Sequence, residues 1–157
     1  MDKTRRVLLW AALLFCLLVL SKFILFKKSP SFYRHYFGHE YTRYHVKDGW
    51  KQSNLQLFHT IQLFSSNNVR TEYRYKNIGG NIVGFIPLGI LLPLLFSGLA
   101  KFWRLTLTIF LLSLSFETFQ LLAGTGIFDV DDLLLNTFGG IIGLGLFAAA
   151  RWAFQKL

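Results

Sequence analysis

Cysteine, methionine, proline and acidic residues are all scarce in this chain of 157 residues. Cys16 is the single cysteine. No intramolecular disulfide is possible, and the redox compartment is not legible from it. Its place within an apolar run is that of a small buried hydrophobe. Eight Asp and Glu face 17 Lys and Arg for a net charge of +9, yet charged residues make up only 16% of the chain. A soluble domain of this size carries more charge and interrupts its apolar runs more often. No internal repeat, low-complexity stretch, phosphate-binding glycine loop or nucleic-acid-binding module is present, and no Ser–His or Cys–His pair is forced by spacing. The sequence therefore calls for no cofactor and no nucleic acid.

What fills the space is apolar: 53% hydrophobic residues and 17% aromatic. Several runs of about 20 apolar residues match a hydrocarbon core of roughly 30 Å, so the expected class is an all-α, multi-pass membrane protein. The fold class read from the runs is a four-transmembrane-helix bundle with a basic interfacial loop between helices 1 and 2. Residues 1–26 form the N-terminal transmembrane helix, its apolar part at 7–26. Lys3, Arg5 and Arg6 before that run suit a signal peptide, but the run is too long for one and lacks a small-x-small cleavage site, which favours a retained span. Residues 77–150 form a three-helix transmembrane core with spans at about 77–100, 105–122 and 133–150, and residues 151–157 a short basic tail. Gly80, Gly84, Pro87, Gly89 and Pro93 mark the second span. A kink is expected at residues 86–89, and close helix packing through Gly80/Gly84 and Gly139/Gly143. Basic termini and an acidic turn at 123–132 favour cytoplasmic termini, against the vote of the basic first loop.

Residues 27–76 hold nine basic and three acidic residues, +6 of the total, together with all four histidines, all six tyrosines and Trp50. A basic, Tyr/Trp-rich segment between spans reads as an interfacial lid that contacts anionic lipid head groups. His35 and His39, four apart, would need further ligands to hold a metal, and chance loop histidines are far commoner. From Asn54 to Phe64 two periods compete. Leu57, Phe58, Ile61 and Phe64 suit a helix face, Leu55, Leu57, Ile61 and Leu63 a strand; a short interfacial helix is favoured.

The chemistry concentrates where the core helices open on the lid side. Glu117 sits about five residues before the end of its span, roughly 7 Å deep at 1.5 Å per residue. An ionisable residue at membrane depth costs about 2.5–3.5 kcal/mol on insertion scales, so a chain that carries one there generally uses it. Glu117 and Gln120 share a helix face, as do Asp132 and Asn136, and Asn77 and Asn81. The candidate binding residues are Asn77, Asn81, Glu117, Gln120, Asp129, Asp132 and Asn136, expected to converge in one polar pocket beneath the lid. Glu117 and Asp132 are the candidate catalytic groups, and Asp129 with Asp132 the pair that would hold a divalent cation, although no metal site is expected. The bland alternatives are interhelical hydrogen bonds for Glu117 and Gln120, and helix capping for Asp131 and Asp132.

The positions Asn81, Phe85, Pro87 and Gly89, then Glu117 and Gln120, then Asp129, Asp132, Asn136, Gly139, Gly140 and Gly143 resemble the VanZ-like family of small bacterial membrane proteins. The resemblance covers about residues 50–150 and makes 77–150 a VanZ-like core. Asn54-Leu55-x-x-Phe58 resembles a family loop motif, with Leu57 where proline is usual. Gly126 stands where many members have arginine. The resemblance implies residence in the cell membrane and lowered susceptibility to glycopeptide antibiotics, teicoplanin above all. A binding protein for an anionic amphiphile, a lipid-linked cell-wall precursor or the lipoglycopeptide itself is the preferred reading. The alternative is an intramembrane enzyme acting on a lipid-linked envelope substrate through Glu117 and Asp132.

Overall fold

A computed structural model of the chain describes residues 2–26, 31, 33, 34, 42–59 and 71–155; the side chains of residues 42–45 and 71–77 are not described. The helices are α1 (Lys3–Ile24), α2 (Thr42–Lys51), α3 (Thr71–Leu95), α4 (Phe102–Leu122) and α5 (Val130–Gln155), with a 3-10 turn at Ser97–Ala100 between α3 and α4. Four stretches are long and apolar enough to cross a membrane: Lys3–Ile24, Ile78–Leu95, Phe102–Leu122 and Val130–Gln155. Among the described residues no strand forms, and one isolated bridge joins Asn54 to Asp129. The four-span expectation therefore holds, with ends shifted by a few residues: α3 stops at Leu95 rather than 100, and α5 begins at Val130 rather than 133.

α5 lies between α3 and α4, and α1 packs on the flank of α3. Hydrocarbon outside the bundle is as apolar as leucine, so burial of Leu or Phe alone does not drive these helices together; close packing and hydrogen bonds do. Glycine supplies the close packing. A Cβ on Gly89 would overlap the Gly140 carbonyl oxygen and come within 2.8 Å of Gly143 Cα, and one on Gly139 would overlap the Ile82 carbonyl. The seam between α3 and α5 is thus backbone against backbone. Gly80 is not part of it, since its Cβ would meet nothing within 4 Å, and a Cβ on Gly84 would meet Leu20 of α1. The expected pairing through Gly80/Gly84 is therefore corrected: Gly89 is the residue of α3 that makes the close approach. Phe85, Leu88, Leu105 and Ile109, all fully buried, fill the centre beside this seam.

The helix runs on through Pro87 and Pro93. Hydroxyls within the spans turn back on their own helix: Thr106, Thr108, Ser115 and Thr137 donate to carbonyls four residues earlier. This hides them from lipid. Trp10 meets Phe96 edge to face at 5.6 Å, pinning the start of α1 to the corner between α3 and α4. Of the stretch from Asn54 to Phe64 expected to form a short helix, residues 54–58 form the bridge and turns, His59 is helical, and residues 60–64 lie outside the described residues. His35, His39 and the rest of residues 27–30, 32, 35–41 and 60–70 of the basic segment lie outside the described residues.

Candidate functional site

The C-terminal end of α4, the N-terminal ends of α3 and α5, and residues 53–59 meet on one side of the bundle. Asn54 joins the loop to the helices. Its backbone N–H donates to the Phe128 carbonyl at 2.8 Å, and its carbonyl accepts from Val130 at 3.0 Å. Its side-chain Nδ2 donates to Asp129 Oδ1 at 2.8 Å. Beside it, Ser53 Oγ accepts from the Phe128 N–H at 3.1 Å and donates to the Gly49 carbonyl at 2.8 Å. Gly49 permits this docking, since a Cβ there would lie 2.8 Å from the Gly126 carbonyl oxygen.

Phe58 has φ of 64°, a left-handed conformation that bulky residues avoid. Its N–H donates to Asp131 Oδ1 at 2.6 Å, a short bond that offsets the strain. Asp129 stands immediately before α5, and its Oδ1 accepts the Asp131 N–H at 2.9 Å. It is therefore Asp129 that caps the helix, not Asp131 and Asp132 as their place in the first turn suggested. Those two side chains are thereby directed elsewhere: Asp131 to Phe58, and Asp132 to Asn81, whose Nδ2 donates to Asp132 Oδ1.

Glu117 is 2% exposed and faces the bundle interior, its Oε2 accepting the Asp129 N–H at 3.1 Å. One turn earlier on α4, Ser113 Oγ accepts from Asn136 Nδ2 at 2.8 Å, and Asn136 lies one turn along α5 from Asp132. Asn81, Glu117, Asp129, Asp132 and Asn136 therefore line one buried region. Gln120 joins it differently from expectation, with Nε2 reaching the Ile127 carbonyl at 3.4 Å. The Asn77 side chain lies outside the described residues, one turn before Asn81 on α3.

The region is rich in acceptors. Four carboxylates, Glu117, Asp129, Asp131 and Asp132, are buried, and among the described residues two buried oxygens lack any hydrogen-bond partner: Gln120 Oε1 and Asn136 Oδ1. An unsatisfied buried acceptor costs about 1–3 kcal/mol, which a donor from a ligand or water would recover. Among the described residues no three His, Cys, Asp or Glu side chains group as a metal site. Asp129 Oδ1 and Asp132 Oδ1, the pair considered for a cation, are engaged by Asn54, Asp131 and Asn81.

A family model described as VanZ/LLP1 matches residues 10–151, a stretch that contains every residue of this polar cluster. The chain belongs to the VanZ/LLP1 family. It is similar to Protein VanZ of Enterococcus faecium, at 33% identity over 77 residues, covering 49% of this chain and 47% of that protein. The chain thus spans about half the length of the curated relative that it matches. No solved structure matches. A Cβ on Gly126 would overlap the Gln120 amide, so a side chain there would require Gln120 to move.

Ser113, Ser53, Asn54 and Asp131 join the site without having been among its candidates. Ser113 carried a usable signal, as Ser113, Glu117 and Gln120 follow the i, i+4, i+7 face of a single helix. Asn54 was marked by the Asn54-Leu55-x-x-Phe58 motif, but nothing in that motif names its partner Asp129, 75 residues away.

Proposed function

We propose that this VanZ-like chain resides in the cell membrane and lowers susceptibility to glycopeptide antibiotics of the teicoplanin kind by holding an amphiphile in its acceptor-rich pocket. The observation that carries this reading is the pair of buried, unpartnered acceptors, Gln120 Oε1 and Asn136 Oδ1, beside four buried carboxylates. Such a wall favours a ligand bearing hydroxyl, amide or ammonium donors. An anionic group on the same ligand would meet the basic residues of 27–76; of these Lys47 and Lys51, on α2, are exposed. The drug, a lipid-linked cell-wall precursor and other anionic amphiphiles with donor-bearing heads all answer this description. With cytoplasmic termini the pocket opens on the outer face, where such drugs act.

A second reading, an intramembrane enzyme on a lipid-linked substrate, draws on Glu117, a buried carboxylate held by the Asp129 amide as a positioned acid or base would be. Growth of a susceptible bacterium under teicoplanin, at matched membrane abundance of each variant, separates the two. Binding predicts partial retention with Glu117→Gln, which keeps the acceptor for the Asp129 N–H, and a greater loss with Glu117→Ala. A general acid or base predicts a loss of about 10²–10⁴-fold for both. Complete loss with Glu117→Gln at normal abundance would decide for the enzyme.

A further inference from the structure

Between α1 and α3 the bundle leaves a lateral groove of about 750 Å³, with Cys16, Leu20 and Phe23 on one wall and Gly80, Asn81 and Val83 on the other. That volume falls within the roughly 300–1,000 Å³ of small-molecule sites. Glycine creates the space, since a Cβ on Gly80 would meet nothing within 4 Å. The groove extends along α3 from Gly80 to Leu91, about 16 Å at 1.5 Å per residue, or half of a hydrocarbon core. Its lining is apolar except at one end, where Asn81 bonds Asp132 and so connects the groove to the polar pocket. Both walls are membrane spans. Water would find almost no polar partner along most of this length, and hydrocarbon is the surrounding solvent.

We propose that the groove holds one acyl chain of a membrane amphiphile whose head group, carrying ammonium or hydroxyl donors, lies at the Asn81–Asp132 end of the pocket. The proposal rests on the reading of that pocket as an amphiphile site and adds the chain-binding half and a lateral entry from the bilayer. The chemistry of the head end selects the head group: Asn81 lines the groove there, and its partner Asp132 is a carboxylate acceptor. An ethanolamine head donates to that carboxylate, whereas a choline head, bulkier by three methyl groups, has no N–H to give.

The test uses the full chain in phosphatidylcholine vesicles doped with phosphatidylethanolamine bearing a photoactivatable acyl chain, with labelled peptides mapped by mass spectrometry. Labelling of the groove faces of α1 and α3 should exceed, several-fold, that of Leu111, Phe119 and Phe138, which are exposed on α4 and α5 away from the groove. Gly80→Trp and Val83→Trp, each filling the groove from an open or exposed position, should abolish the excess while the protein stays monodisperse. The same photoactivatable chain on phosphatidylcholine should label the groove less. Uniform labelling, or an excess that ignores both tryptophans, overturns the groove and leaves the Glu117 growth test untouched. A groove shielded in a stable dimer overturns it in favour of a second copy of the chain. Equal labelling by the two head groups, with the tryptophan block intact, overturns the head-group assignment and counts against the pocket reading itself.

Discussion

Replacing Gly89 with alanine should weaken the bundle more than the single added methyl suggests. The new Cβ would overlap the Gly140 carbonyl oxygen and lie 2.8 Å from Gly143 Cα and 2.9 Å from Leu144 N. All three obstacles are backbone, so no side-chain rotation relieves the clash, and α3 and α5 must separate. Overpacking of this kind costs about 1–3 kcal/mol, to which a widened seam adds lost dispersion along both helices. Gly80→Ala is the matched control, made on the same helix where a Cβ meets nothing within 4 Å. There only the helix propensity of alanine acts, up to about 1 kcal/mol in favour of folding. The same propensity gain acts at Gly89 and cancels in the comparison, so the two variants should differ by the clash alone, about 1–3 kcal/mol, measured by reversible SDS denaturation in mixed micelles followed by tryptophan fluorescence. Equal stabilities would refute the backbone seam between α3 and α5.

Ser113→Ala removes the acceptor of Asn136 Nδ2 and should lower stability in the same assay by about 1–3 kcal/mol; Ser113→Thr, which restores a hydroxyl, should recover part of it. Asp131→Ala should release residues 53–59 from the first turn of α5, read as faster proteolysis within that segment, whereas Asp131→Asn keeps an oxygen for the Phe58 N–H and should remain protected. Asn54→Ala should expose the same segment, because it loses the side-chain bond to Asp129 while keeping the backbone bridge.

The spans were legible because a bilayer imposes one length and one composition on any helix that crosses it. The depth and inward direction of Glu117 were legible for a related reason: a carboxylate near the end of a 21-residue apolar helix is too costly to leave facing lipid. The helix-packing glycines were read less well. Gly80 and Gly84 display the small-xxx-small spacing, yet spacing says which residues share a face, not which face meets a neighbour. Gly89 meets α5, and Gly80 opens onto a groove. The acidic turn shows the same limit. Asp129, Asp131 and Asp132 are chemically alike, and only the start of α5 at Val130 makes Asp129 the cap and sends the other two outward to Phe58 and Asn81. Nothing near Asn54 announces its bonds to residues 128–130, because a single bridge between distant segments leaves no periodic pattern behind.

On the proposed function, the buried acceptors Gln120 Oε1 and Asn136 Oδ1 are completed by the donors of a bound amphiphile. Native mass spectrometry of the full chain, released from the membrane of its host in mild detergent, tests this directly. The wild-type protein should retain one amphiphile at roughly one-to-one stoichiometry after annular lipids are stripped. The double variant Gln120→Leu/Asn136→Leu, which removes both unpartnered oxygens, should lose it while remaining folded. An empty wild-type protein, or equal retention by the double variant, would contradict the account.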